Sequence, residues 1–261
     1  MDATREFIDA VTRGEHHVTV EWLALLIAAH ARPSLDPGAT LGELDRISSS
    51  VVPGDLDSLC SVLFGVHGFV GNSVEYYDPD NSMLDQVVLR RTGIPISLSV
   101  LMIAVGRRAG VPLVGVGMPG HFLVRSVEDP ALYLDPFAGG ARLDEDGCRE
   151  LFRRGHGADA QLLPEHLEPV GAFAIVERML NNLWAIHRSR ADVRSQLWVA
   201  RLRAELPGAT IVQRADVAVA LADAGRFDEA AEHFDRLADG ADVRSAASLR
   251  SARDRMRSLL N

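Results

Sequence analysis

The chain has 261 residues and a formal net charge of −9, and every one of its 27 cationic side chains is arginine. A phosphate-binding loop of the Walker type and a pyridoxal Schiff base both require lysine, so both chemistries are excluded. The acidic balance leaves no basic stripe for a phosphate backbone, which sets nucleic acid aside as a partner. With 47% hydrophobic and 24% charged residues, the composition is that of an ordinary globular protein with one large domain or two modest ones. Its two cysteines, Cys60 and Cys148, lack CxxC spacing, which argues for a reducing compartment and against a zinc site or a disulfide framework. The opening MDATREFIDA is polar where a signal peptide would be basic and then apolar. The longest apolar runs, Trp22 to Ala31 and Leu98 to Val105, are too short to span a bilayer. The expectation is a soluble cytoplasmic protein with no membrane partner, no metal and no cofactor.

In chain order, the first ninety or so residues predict packing helices from the 3.6-residue period of their apolar positions. Phe7, Ile8 and Val11 form one stripe, Trp22 to Ala29 a denser one, and Leu41, Leu44 and Ile47 a third, separated by breaks such as RPSLDPGAT. The stretch Gly71 to Ser82, GNSVEYYDPDNS, predicts a loop, followed by a short helix through Leu84, Val87, Val88 and Leu89. Pro95 suits the first turn of a helix, and Leu98, Leu101, Met102 and Val105 continue it until Gly110. Pro112 to Met118, His121 to Ser126 and Leu132 to Asp135 are short, apolar or alternating, and punctuated by PG and EDP turns, as antiparallel strands are. Asp144 to Arg154 reads as another helix, and RRGHGADAQLLPEHLEP as a linker.

From Ala172 onward the pattern is helical throughout. The run ADVAVALADAGRFDEAAEHFDRLAD matches one tetratricopeptide unit, with Gly225 at the turn, although a plain helical bundle uses the same alanine and leucine spacing. The fold class is therefore α+β. A mainly helical N-terminal part carries a small antiparallel sheet over residues 1–160, and an all-α region follows over 170–261.

Chemistry concentrates on His121 and Asp135, one at the start of a predicted strand and the other at the end of the next. A cysteine-protease-like site uses this arrangement: the carboxylate holds one imidazole tautomer while the other ring nitrogen faces a nucleophile at a helix start. Period two puts Arg125 on the face of His121, where it could bind a carboxylate ligand or pair with Asp135 or Glu128. Tyr77 and Asn81 could line the same cleft if their loop folds over it, or could serve only in Asx-turn and loop packing. Asn181, Asn182 and His187 make a polar interruption in an apolar stripe, as a cap or a contact between helices does.

Four motifs in this order, YYDPDNSML, RRTGIPISLS, GMPGHFLVR and LDPFAGG, resemble the SirB-type branch of the transglutaminase-like superfamily. The likeness covers about Cys60 to Gly140 well and the C-terminal helices loosely. It implies a papain-like core in which a helix packs on a small sheet, with His121 as the imidazole, Asp135 as its orienting partner, and tetratricopeptide-like helices after the core. The departure lies at the nucleophile. In catalytic members a cysteine opens the core helix, and the corresponding count back from Gly110 lands on Pro95. Two readings follow. In the first, the cleft of a non-canonical or inactive member holds a peptide or small ligand and the C-terminal helices hold a protein partner. In the second, Ser97 or Ser99 serves as nucleophile for acyl transfer or amide hydrolysis, with His121 as base and Asp135 as orienter. In the latter case the acceptor amine or water comes from outside, because the chain has no lysine side chain to offer.

Overall fold

The computed structural model describes residues 2–259, and its first half is helical for reasons that local chemistry supplies. Helix α1 (Ala3–Arg13) starts where the Asp2 carboxylate accepts from the Arg5 amide. Helix α2 (Val20–Ala31) is apolar on nearly all sides and is buried on nearly all sides. Helix α3 (Pro37–Ser48) is capped by Asp36 and has proline in its first turn. Helix α4 (Leu56–Cys60) runs on into a wider π-helical turn, Ser61–Val66. After it, strand β1 (Val70–Gly71), helix α5 (Leu84–Arg90) and strand β2 (Thr92–Gly93) lead into helix α6 (Pro95–Arg108).

Helix α6 is the centre of this part of the molecule. Its side chains from Pro95 to Met102 are all buried, because α2, α3 and α5 pack on one side and the main sheet on the other. That sheet contains β3 (Leu113–Val116), β4 (Leu123–Ser126), β5 (Tyr133–Asp135), β6 (Ala141–Leu143) and β7 (Pro169–Val170). The strands are antiparallel throughout, in the order β6-β5-β4-β3-β7. The sequence anticipates the three middle strands. The two edge strands escape it: β6 is exposed for most of its length and β7 has two residues, so neither presents an apolar run. Helix α7 (Glu145–His156) covers the far face, where Cys148 and Phe152 pack against Val116, Leu123 and Tyr133.

Three arginine clusters tie the helices together. Arg32, next to the end of α2, holds Asp85 of α5 bidentately at 2.7 and 2.9 Å and reaches Asp80 at 2.9 Å. Arg91 ends α5 with φ 57°, a left-handed conformation that usually falls to glycine. Its side chain accounts for the exception: it donates to Glu43 of α3 at 2.7 Å and lies 4.8 Å over the Phe69 ring. Glu21, buried in α2, accepts from Arg107 at 2.5 Å and Arg108 at 2.8 Å.

The chain forms two compact units that divide between Met179 and Leu180, inside helix α8 (Ala172–Ser189). The second unit continues with α9 (Val193–Glu205), α10 (Ile211–Asp223), α11 (Phe227–Asp239) and α12 (Val243–Ser258), each packed on the next in chain order. Gly225 makes the turn between α10 and α11 at φ 72°. Alanines at positions 200, 218, 220, 230 and 238 let these helices approach around Leu221, Phe234 and Leu249. The polar interruption in α8 is a contact between helices: Asn181 accepts from Arg203 of α9, which also pairs with Asp216 of α10 and lies over Trp184. Among the described residues no helix is long and apolar enough to cross a membrane.

Two consequences for stability are measurable. Burial raises the Glu21 pKa, but the two arginine hydrogen bonds outweigh it and hold the carboxyl below its ordinary range. Its contribution is therefore complete above that range and is lost as pH falls through the lowered value. Glu21→Gln should flatten this part of the acid dependence, as read from denaturant midpoints at neutral pH and below the ordinary glutamate range. Gly71 sits against Phe137, and a Cβ built there would lie 2.7 Å from the Phe137 carbonyl oxygen and 2.5 Å from its ring. Gly71→Ala should cost about 1–3 kcal/mol by overpacking, visible as a lowered urea midpoint with an unchanged slope.

Candidate functional site

The His121–Asp135 pair is assembled by two turns whose residues explain them. Met118-Pro119-Gly120-His121 closes with the His121 amide donating to the Met118 carbonyl at 3.1 Å, and Gly120 adopts φ 75° in the third position, as a type II turn requires. Asp135 ends β5 and caps the short 3-10 turn Pro136–Ala138, its Oδ1 accepting from the amides of Phe137 at 3.0 Å and Ala138 at 3.3 Å. The same oxygen accepts from His121 Nε2 at 2.9 Å. Because a carboxylate only accepts, Nε2 carries the proton and, in the neutral ring, Nδ1 keeps the lone pair. Nδ1 makes no hydrogen bond among the described residues and is not sealed from solvent. His121 lines a cavity of roughly 370 Å³ together with Met118, Leu151, Phe152, Arg154 and His156.

The remaining sequence candidates fall into different places. Ser97 is fully buried; its hydroxyl donates to the Asn81 carbonyl at 2.5 Å and accepts from the Ile94 amide at 3.0 Å. Ser99, also fully buried, donates to the Pro95 carbonyl at 2.7 Å, one turn back along α6. Neither serine is hydrogen-bonded to His121. A chain of contacts between Ser97 and His121 runs instead through Gly93, its registered partner Gly71, and Phe137, whose ring meets the imidazole edge-on at 6.1 Å.

Asn81 has no exposed surface and offers none to a ligand; it braces the loop before it. Its side-chain nitrogen donates to the carbonyls of Glu75 at 2.7 Å and Tyr76 at 3.3 Å, and its oxygen accepts from Asn72. Tyr77 points outward, 72% exposed, with its ring against that of Tyr76. Arg125 pairs with neither Asp135 nor Glu128: it makes no ion pair among the described residues, and its Nε is buried without a partner. His121 precedes β4 instead of lying within it, so the period-two argument that joined it to Arg125 does not extend to the turn.

Two residues that pattern reasoning did not select contact His121 or its aromatic neighbour Phe137. Tyr76 meets Phe137 edge-on at 6.2 Å, and Phe137 also meets His121 edge-on. Arg178 of α8 donates to the His121 carbonyl at 2.6 Å and lies 5.4 Å over the Phe122 ring. The available signal was faint: of the two tyrosines in the YY loop the sequence reading selected Tyr77, and an arginine in an amphipathic helix has no motif. No thiol replaces the missing nucleophile. Burial pushes the half-buried Cys60 up, and pushes Cys148 up to about 12 with help from Asp144, Glu145 and Asp135, so neither forms a thiolate readily. Pro95 occupies the first turn of α6, where the missing N–H costs nothing and no nucleophilic atom is present.

A sequence profile of the transglutaminase-like superfamily matches residues 26–181, which takes in α6, the sheet, α7 and Arg178. Relatives include a UPF0162 protein of Xylella fastidiosa, 42% identical over 179 residues and 63% of each chain. A UPF0162 protein of Pseudomonas aeruginosa is 33% identical over 178 residues, 65% of each chain, and protein SirB1 of Salmonella typhimurium is 27% identical over 130 residues, 49% of this chain and 48% of its own. The chain thus matches less than two thirds of the length of these curated relatives. No solved structure matches it significantly. The helix-on-sheet core, the oriented imidazole and the length of the profile match agree, and the chain belongs to the SirB-type family of transglutaminase-like proteins.

Proposed function

We propose that this protein is a non-canonical, catalytically silent transglutaminase-like member that binds a peptide or small ligand at His121 and Asp135. One observation carries the reading: the imidazole is oriented at 2.9 Å by a carboxylate, its Nδ1 is unpartnered and not sealed from solvent, and His121 lines a cavity, while among the described residues no serine or cysteine side chain is hydrogen-bonded to it. An oriented ring nitrogen is a directional acceptor, or a donor once protonated, and the cavity supplies apolar wall from Met118, Leu151 and Phe152 with Arg154 and His156 at its polar side. The second unit, in this reading, is a tetratricopeptide-like surface for a protein partner, and the protein works in the cytoplasm. Acyl transfer through Ser97 or Ser99 would require a hydroxyl to leave its backbone partner and the core, and no observation favours it.

Histidine-selective NMR during titration with a blocked glutamine peptide tests the proposal. The His121 resonances should move, His121→Ala should abolish the titration without unfolding the protein, and neither ammonia release nor amine incorporation should be detectable. A His121 signal indifferent to the peptide would remove the binding reading. Turnover that disappears in Ser97→Ala or Ser99→Ala would replace it with the enzymatic one.

A further inference from the structure

Most arginines that lose solvent in this protein gain a carboxylate. Arg32 has Asp85, Arg91 has Glu43, Arg108 has Glu21, Arg203 has Asp216 and Arg253 has Asp235. Arg178 departs from this pattern. It is partly buried, and its only hydrogen bond among the described residues uses one of its five N–H donors, on the His121 carbonyl. The Phe122 ring lies beneath it, and a Cβ built at Gly117 would stand 3.6 Å from its Nη1. A cation placed out of water without a counter-charge costs stability unless an anion joins it.

Tyr76 supplies a second unused donor. The loop that carries it is pinned from below by Asn81 and by the Arg90–Asp78 pair at 2.8 Å. Its phenol makes no hydrogen bond among the described residues and is not sealed from solvent. Burial raises the Tyr76 pKa and the neighbouring Arg178 charge partly offsets this, so the two groups sense each other and the phenol keeps its proton at neutral pH. His121 connects them, its carbonyl on Arg178 and its ring sharing the Phe137 edge contact with Tyr76.

We propose that Arg178 and the Tyr76 hydroxyl form a carboxylate-binding subsite beside His121, so that the ligand of this protein is a small or peptidic carboxylic acid. The proposal rests on the binding function assigned to His121 and names its ligand class. Arginine suits the task because its planar fork meets a carboxylate with two parallel hydrogen bonds, which the strongly hydrated point charge of a lysine does not. The Phe122 face and the His121 carbonyl hold the guanidinium in place, so the anion meets a group with less rotamer freedom left to lose.

Calorimetry and histidine-selective NMR with N-acetylglycine and its neutral counterpart N-acetylglycinamide test this on the full chain. The acid should bind about tenfold or more tightly than the amide and shift the His121 resonances, the advantage expected of charge-assisted hydrogen bonds. Arg178→Gln should erase that preference, Arg178→Lys should restore part of it, and Tyr76→Phe should lower it several-fold. Equal binding of acid and amide, or a preference that survives Arg178→Gln, overturns the proposal. If Arg178→Gln does not fold, Tyr76→Phe decides, and an unchanged preference overturns it. A blocked glutamine peptide that shifts His121 while the acid shows no advantage leaves the binding function standing and removes only its ligand class; if no probe reaches His121, both fall.

Discussion

One carboxylate oxygen organises the chemistry of this protein. Asp135 Oδ1 accepts from the amides of Phe137 and Ala138 and from the His121 ring, and by doing so it ends a strand, shapes a turn and sets a tautomer. Phe137 is delivered by that turn, and its ring meets both His121 and Tyr76 edge-on while it crowds Gly71. The turn contacts α6 as well, so the same oxygen links the sheet to the central helix.

The start of α6 is where this core departs from a catalytic one. A helix start can stabilise a thiolate through its unpaired amides and dipole. Here the first helical residue is a proline, and the same first turn uses Ser97 as an internal cap that accepts from Ile94 and donates to Asn81. The hydrogen-bonding capacity that could have served a nucleophile is committed to holding the polar loop of residues 72–82 in place. Helix start and loop are thereby locked together, and the loop presents Tyr76.

Much of the fold is legible in the sequence because its signals are local. Pro95 and Gly110 bracket α6, PG and DP dipeptides bracket the strands, and Gly225 marks the turn between α10 and α11. The His121–Asp135 pair is legible too, since both residues sit at turns with strong grammar. What escapes is contact between distant segments. Asn81 and Tyr77 carry the right chemistry for a cleft, yet burial of the first and outward rotation of the second depend on packing that no periodicity encodes. Arg178 lies 57 residues beyond His121, and only the fold brings its guanidinium to the His121 carbonyl. Arg125 is the converse case: strand alternation describes its own strand correctly and fails at the turn that positions the histidine.

The interior thiol has a practical meaning of its own. Cys148 faces the sheet from α7 with no exposed surface and a pKa near 12, whereas Cys60 keeps partial access. In the folded state an alkylating reagent therefore meets one sulfur and misses the other. Modification of Cys148 requires α7 to lift from Val116, Leu123 and Tyr133, the strands that carry the histidine and its carboxylate. The chain thus contains its own clock for the opening of that layer: the slow labelling phase measures how often the floor beneath the imidazole comes apart, and a bound ligand that steadies the floor lengthens it.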